Sequence, residues 1–310
     1  MRKKGVIAVL VFVILFSGCT IPQSNSIPKI ESISFGWSHI VAVLSNGEVM
    51  AWGDNSAGQC DVPIEANHTI AVASGQFHNL ALQEDGTVIA WGGQSFDKCD
   101  VPPDLKGVTA VAAGDTHSVA LKNDGTVVAW GDYSFGQSIV PEDLPYITAI
   151  AAGAYHTTVL TKSGEIITWG SDPDGDLYTP PEFNGRIKQI ASDHNHIVAI
   201  LDNNTVVGWG RAGFSETSEN EEFTNVVSVS TGIGLSLALK EDGTVAVLGG
   251  NSSQLREYAE QLYEIKSVSA GLFVGGAVKE DGTLIIWGDQ VEELYKNDNI
   301  EKLVLYEGED

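Results

Sequence analysis

By type and spacing, the residues most able to do chemistry are five histidines. His39, His78, His117, His156 and His196 recur at steps of 39, 39, 39 and 40 residues. Imidazoles at a repeated position invite a metal reading, since neutral imidazole is a common zinc ligand. No carboxylate accompanies them at ligand spacing, however, and they stand one per repeat. Each is therefore expected to bond the backbone of its own repeat, and neither metal nor cofactor is expected. The chain has no Gly-x-Ser-x-Gly elbow, zinc motif or phosphate loop. Its 41 acidic residues include no pair that stands out as acid and base, so catalysis is not expected. A net charge of -24 argues against nucleic acid, because phosphates need Lys and Arg.

The cysteines point elsewhere. Arg2-Lys3-Lys4 precedes the apolar run Gly5–Phe16, which is too short to span a bilayer but suits an export signal. The run ends in Phe16-Ser17-Gly18-Cys19, which resembles the lipobox of prokaryotic lipoproteins. Residues 1–18 are expected to be removed and Cys19 to carry lipid, placing the protein at the cell surface or the extracytoplasmic face of the membrane. Residues 19–29, rich in Ser, Pro and Asn, form a tether. Cys60 and Cys99 fall on equivalent positions of successive repeats. Such positions diverge from the axis of a ring, which disfavours a bridge.

The elements that carry these residues repeat throughout the chain. Trp-Gly occurs at Trp52, Trp91, Trp130, Trp169, Trp209 and Trp287, with Leu248 in the remaining slot, at steps of 39 or 40 residues. That makes seven copies, and a period of this length signals a propeller or solenoid. In one copy Val108–Ala113, His117–Leu121 and Thr126–Trp130 read as strands, and Asn123-Asp124-Gly125 reads as a tight hairpin. About 18 residues, usually with a Pro, lead to the next copy. Three antiparallel strands per copy, seven times, predict an all-β seven-bladed β-propeller over residues 30–310, a single and monomeric domain. Chain order puts the loop between the first two strands and the loop after Trp-Gly on one face, with the hairpins on the other. Ser252–Tyr263 reads as helical, and Ile300–Leu305 as a strand that closes the ring near the N-terminal strand.

The pattern Ala-Gly-x-x-His, Asp-Gly-Thr-Val, Ala-Trp-Gly-Asp and Gly-Gln, seen best in copies one to four, resembles the repeat of the regulator-of-chromosome-condensation family. The resemblance implies a seven-bladed propeller. The short repeat with Val-Pro after Gly-Gln is similar to a secreted branch of that family, which includes a β-lactamase inhibitory protein with three-stranded blades.

That branch implies docking through aromatic and acidic loops on one face. The corresponding first loops hold Trp37, Phe77, Asp115, Tyr155, His194 and Phe273. The loops after Trp-Gly hold Asp54, Asn55, Phe96, Asp132, Tyr133, Phe135, Asp172, Asp174, Asp176, Tyr178, Arg211 and Phe214. Rigid aromatics beside charges have the composition of a protein interface. The expectation is a lipid-anchored scaffold that binds a protein, including an enzyme it inhibits. A glycan-binding module using the same aromatics is the alternative.

Overall fold

The computed structural model describes residues 7–10, 28–171, 183–194, 196–210, 223–233, 235–248, 253–288, 291 and 304–306. Each repeat folds as its own three-stranded antiparallel sheet. Blade 1 is Ile30–Phe35, His39–Leu44 and Val49–Gly53; blade 2 is Thr69–Ser74, His78–Gln83 and Val88–Gly92. Blade 3 is Val108–Ala113, His117–Lys122 and Val127–Gly131; blade 4 is Ile147–Ala152, His156–Thr161 and Ile166–Gly170. Blade 5 is Ile187–Asp193, His196–Leu201 and Val206–Gly210; blade 6 is Val226–Gly232, Leu235–Lys240 and Val245–Leu248. Blade 7 is Ile265–Ala270, Val274–Lys279 and Leu284–Gly288.

The first strands of the blades surround a central channel of about 290 Å³. Each carries a register shift after its first residue, an irregularity that adds twist. Middle strands read as continuous apolar runs because neighbouring blades cover both of their faces; His39–Leu44 and His196–Leu201 are buried throughout. The repeated Trp packs between blades, as its period predicts. Trp130 of blade 3 lies against Leu80 and Leu82 of blade 2. Blades 1 and 7 close the ring through Phe35, Trp52, Val278 and Ile286. At that junction the Phe35 amide donates to Ser269 Oγ (3.2 Å) and Lys266 pairs with Glu31 at 2.7 Å.

Hydrogen bonds confirm the two faces. The residue after Trp-Gly donates its amide to the first loop of its own blade: Asp54 to Ser38 O, Gly93 to Phe77 O, Asp132 to Thr116 O and Ser171 to Tyr155 O. At the opposite end each hairpin meets the start of the next blade, as in Thr69 N to Gly47 O and Ile147 N to Gly125 O. There the Asp of Asp-Gly-Thr accepts both the amide and the hydroxyl of its Thr, as at Asp124–Thr126 and Asp242–Thr244. Those bonds hold the Asp124 carboxyl down at about 2. Repeated acids of this type therefore build turns.

The ring closes differently from the expectation. Val304–Tyr306 pairs with Ile7–Leu10, which pairs in turn with the outer strand Leu284–Gly288, so blade 7 gains two strands at its rim. The helix is Ser253–Ala259, shorter than its apolar pattern, with Leu255 and Ala259 buried against blades 6 and 7. Cys60 and Cys99 are free thiols, and burial raises Cys99 to about 11.

A candidate protein-binding face and the mouth of the channel

The histidines do not bond their own blades. His39 Nε2 meets Asn79 Oδ1 at 2.7 Å, His78 meets Ser118 Oγ at 3.0 Å, His117 meets Thr157 Oγ1 at 2.9 Å and His196 meets Ser236 Oγ at 2.8 Å. Each partner sits on the next blade. Ser118 donates onward to Lys98 O (2.8 Å) and Thr157 to Gln137 O (2.8 Å), so the hydroxyl proton is already committed and the imidazole must supply its own. Trp130 and Trp169 donate to the same two carbonyls at 2.9 and 3.1 Å. With Asn79 donating to Gln59 O (2.8 Å), the first three junctions are thus closed relays from His of one blade, through the next blade, back to the loop of the first. In blade 5 the partner slot holds Ile197, and His156 turns instead to Ser192 Oγ at 2.7 Å. Burial lowers His39 to about 4, His117 to about 3 and His196 to about 4, so these imidazoles are neutral near pH 7. Among the described residues the belt is structural and gathers no carboxylate ligand set.

The Gly of Ala-Gly is dictated by close approach. A Cβ on Gly114 would lie 2.4 Å from both the His117 ring and Gly153 O of the next blade. The Gly of Trp-Gly has a different reason: Gly131 has φ +103°, which side chains rarely adopt.

Above this belt, first loops from several blades converge over the channel. Trp37 of blade 1 donates through Nε1 to Asp115 Oδ1 of blade 3 at 3.2 Å. Its ring lies 6.4 Å from Phe77 and 6.1 Å from His194. Lys98 directs its ammonium to Asp115 O at 3.4 Å and stands 5.9 Å from the Phe77 ring centre. Burial raises the Asp115 carboxyl; burial and the Asp115 charge raise Asp193 to about 7. Trp37 and Phe77 are thus half-buried members of a plug.

The outer loops present the exposed aromatics. Tyr133 is 72 % exposed and Phe135 54 %, and the Phe135 and Tyr155 rings meet at 5.1 Å across blades 3 and 4. Phe96 and Phe273 are exposed elsewhere on the same face. The acids expected beside them are turned inward. Asp132, 7 % exposed, accepts from Ser134 N, Ser134 Oγ and Thr116 Oγ1. Asp54 caps Ser56 and Gln59 in the same manner, and Asp115 is buried. Asp172, Asp174, Asp176, Tyr178, Arg211, Phe214 and Cys19 lie outside the described residues.

Exposed negative charge lies on the hairpins, at Glu84, Asp85 and Asp124, and on the connections between blades, at Asp61, Glu65, Asp97, Asp100, Asp104, Glu142 and Asp143. Two further aromatics sit on the hairpin face under lysines: Tyr146 below Lys162 and Tyr263 below Lys279, at 5.4 and 3.7 Å. The His partners also had a signal. The residue after His in the next repeat is Asn79, Ser118 or Thr157 where a relay forms, and Ser236 holds the same slot after Leu235.

Four stretches, residues 30–59, 69–97, 108–137 and 147–176, match the regulator of chromosome condensation (RCC1) repeat. No curated protein sequence matches the chain significantly. Among solved structures it is similar to the CRINKLY WD40 ectodomain of the Arabidopsis thaliana receptor kinase ACR4, with 18% identity and a TM-score of 0.66 over 84% of this chain and 96% of that one. Prp20p of Saccharomyces cerevisiae, described with its binding to Gsp1p and histones, gives 18% identity and 0.61 over 85% and 84%. The yeast RCC1 (Prp20) bound to Kap60 gives 21% identity and 0.54 over 84% and 70%. The chain is thus an almost entirely β propeller carrying RCC1-like repeats.

Proposed function

We propose that this protein is an extracytoplasmic docking scaffold, lipid-anchored at Cys19, whose loop face binds a protein partner. The observation that carries the reading is the exposed aromatic set Tyr133, Phe135 and Tyr155, gathered from neighbouring blades on one face. Contiguous exposed aromatics on rigid loops are what hot spots are made of. The RCC1-like repeats and the similarity to propellers that bind Gsp1p and Kap60 support binding rather than catalysis. Exposed acids in the loops after Trp-Gly, such as Asp61 and Asp97, favour a basic partner. The similarity of the short repeat to the inhibitory branch extends the proposal to inhibition of a partner enzyme by a monomeric propeller.

Export has a structural consequence. Cleavage before Cys19 removes Ile7–Leu10 and opens the outer edge of Leu284–Gly288. Lys29 enters blade 1 on the hairpin side, where Ser45 N donates to Lys29 O at 2.8 Å. A tether starting there joins the propeller at the end opposite the loop face.

The test is affinity capture from the envelope fraction with the parent, Tyr133→Ala and Cys19→Ala. A partner lost with Tyr133→Ala supports the docking face, and release of Cys19→Ala from the membrane supports the anchor. Retention on polysaccharide that free sugar reverses, without a captured protein, sinks the protein-binding reading. An unchanged mass and membrane extraction for Cys19→Ala sink the anchor.

A further inference from the structure

We propose that Asp115, Asp193 and His194 form a binding site for a divalent transition-metal ion at the loop-face mouth of the central channel. The inference is independent of the docking proposal. Each residue offers one ligand atom, and the three atoms lie within 4.8 Å of one another. Tetrahedral donors about 2.0–2.2 Å from a shared ion stand about 3.3–3.6 Å apart. Side-chain rotations closing the widest pair by at most about 1.5 Å would therefore complete the set.

Several features point to a ligand beyond the closeness of two acids. His194 Nδ1 is buried and has no hydrogen-bond partner, as is also true of Nδ1 in His39, His78 and His117 of the belt, and it stands 3.9 Å from Asp115 Oδ2. A buried polar atom left unpaired is costly and calls for an explanation. The Asp115 side chain is only 6% exposed, and Trp37 holds it through Oδ1 alone, leaving Oδ2 turned toward the imidazole. Asp193 is oriented in turn by the His194 amide, which donates to its Oδ1 at 2.7 Å. Donors fixed by such outer hydrogen bonds are the usual construction of a metal site.

Charge agrees with the geometry. Two carboxylates face each other with Lys98 the nearby cation, and its ammonium is directed at the Asp115 carbonyl and the Phe77 ring. Asp115 and Asp193 also line the channel, whose volume of about 290 Å³ leaves room for waters to complete the shell. One imidazole with two carboxylates suits Zn²⁺, Co²⁺ or Mn²⁺ better than Ca²⁺, which takes six to eight oxygens. Such an ion would tie the loops of blades 3 and 5, and through Trp37 that of blade 1.

The experiment is calorimetric titration of the chelator-stripped full chain with Zn²⁺, then with Ca²⁺, while Trp37 fluorescence is followed during Co²⁺ addition. One saturable Zn²⁺ site is expected. It should weaken at least about tenfold in His194→Ala and Asp115→Asn, persist in the control His68→Ala, and show no Ca²⁺ counterpart. Co²⁺ should quench a component absent from Trp37→Phe. Variants are compared only where their melting curves match the parent; where Asp115→Asn fails to fold, Asp193→Asn replaces it. No saturable Zn²⁺ binding, or Zn²⁺ binding that His194→Ala leaves unchanged, overturns the proposal.

Discussion

His117 of blade 3 donates its Nε2 proton to Thr157 Oγ1 of blade 4 across 2.9 Å, and Thr157 passes its own proton to Gln137 O, back in the blade 3 loop. Removing the middle member strands the imidazole N–H in a buried site. Thr157→Val should therefore cost about 1–3 kcal/mol in chemical denaturation. Thr157→Ser, which keeps the hydroxyl, should recover most of it. Equal stability of the Val variant and the parent would show that the relay contributes nothing.

The same burial predicts an acid limit. His39, His117 and His196 are lowered to about 4, 3 and 4, and His78 also lies well below its ordinary value, all through desolvation. The unfolded chain binds these protons near pH 6.5 and the folded chain does not. Stability is thus fully present above about pH 6.5 and falls as pH drops toward 4, by at most about 1.4 kcal/mol per unit per histidine. Asp193, raised to about 7, works in the opposite sense: the folded state holds its proton, so its contribution weakens as pH rises from 3.8 to 7. The hairpin acids Asp85, Asp124, Asp242 and Asp281 are lowered, and their contribution is lost as pH falls below about 3.8. The melting temperature should drop steeply between pH 6.5 and 4, and less steeply in His117→Ala.

Trp130 lies buried against Leu80 and Leu82 of the preceding blade while its Nε1 bonds Lys98 O. Trp130→Ala should destabilise by about 3–5 kcal/mol. A melting curve like that of the parent would place the ring outside the blade junction.

The docking face yields a comparison between faces. Tyr133→Ala or Tyr155→Ala should weaken the captured partner by about 1–4 kcal/mol where either is a hot spot. Lys122 and Lys162 are on the hairpin face, and their alanine variants should bind as the parent. Loss of binding in the lysine variants alone would reverse the face assignment.

Charge separates in the same way. Asp132 builds its own loop, so Asp132→Ala should lower stability by about 1–3 kcal/mol. Asp97→Lys with Asp100→Lys, both exposed beside Phe96, should chiefly slow association and flatten its salt dependence. Stopped-flow association at two salt concentrations distinguishes these outcomes.

Blade number, strand limits, hairpins and the sides on which the loops fall were legible in the sequence. Each blade is made from contiguous residues, and its determinants are local: a turn residue with positive φ, an apolar run, a Trp at fixed phase. The partner of each histidine was within reach but was misread. Its register is visible in Asn79, Ser118 and Thr157, yet the bond runs between blades, a relation that appears only when the ring closes. The inward turn of Asp54 and Asp132 was hidden for another reason. An acid in a loop carries the same letter whether it caps the loop or faces water, and the chain path decides which. The mouth cluster belongs wholly to the tertiary structure. Trp37, Asp115 and His194 are 78 and 79 residues apart in sequence. They meet because seven blades wound about one axis bring their inner loops to a common centre.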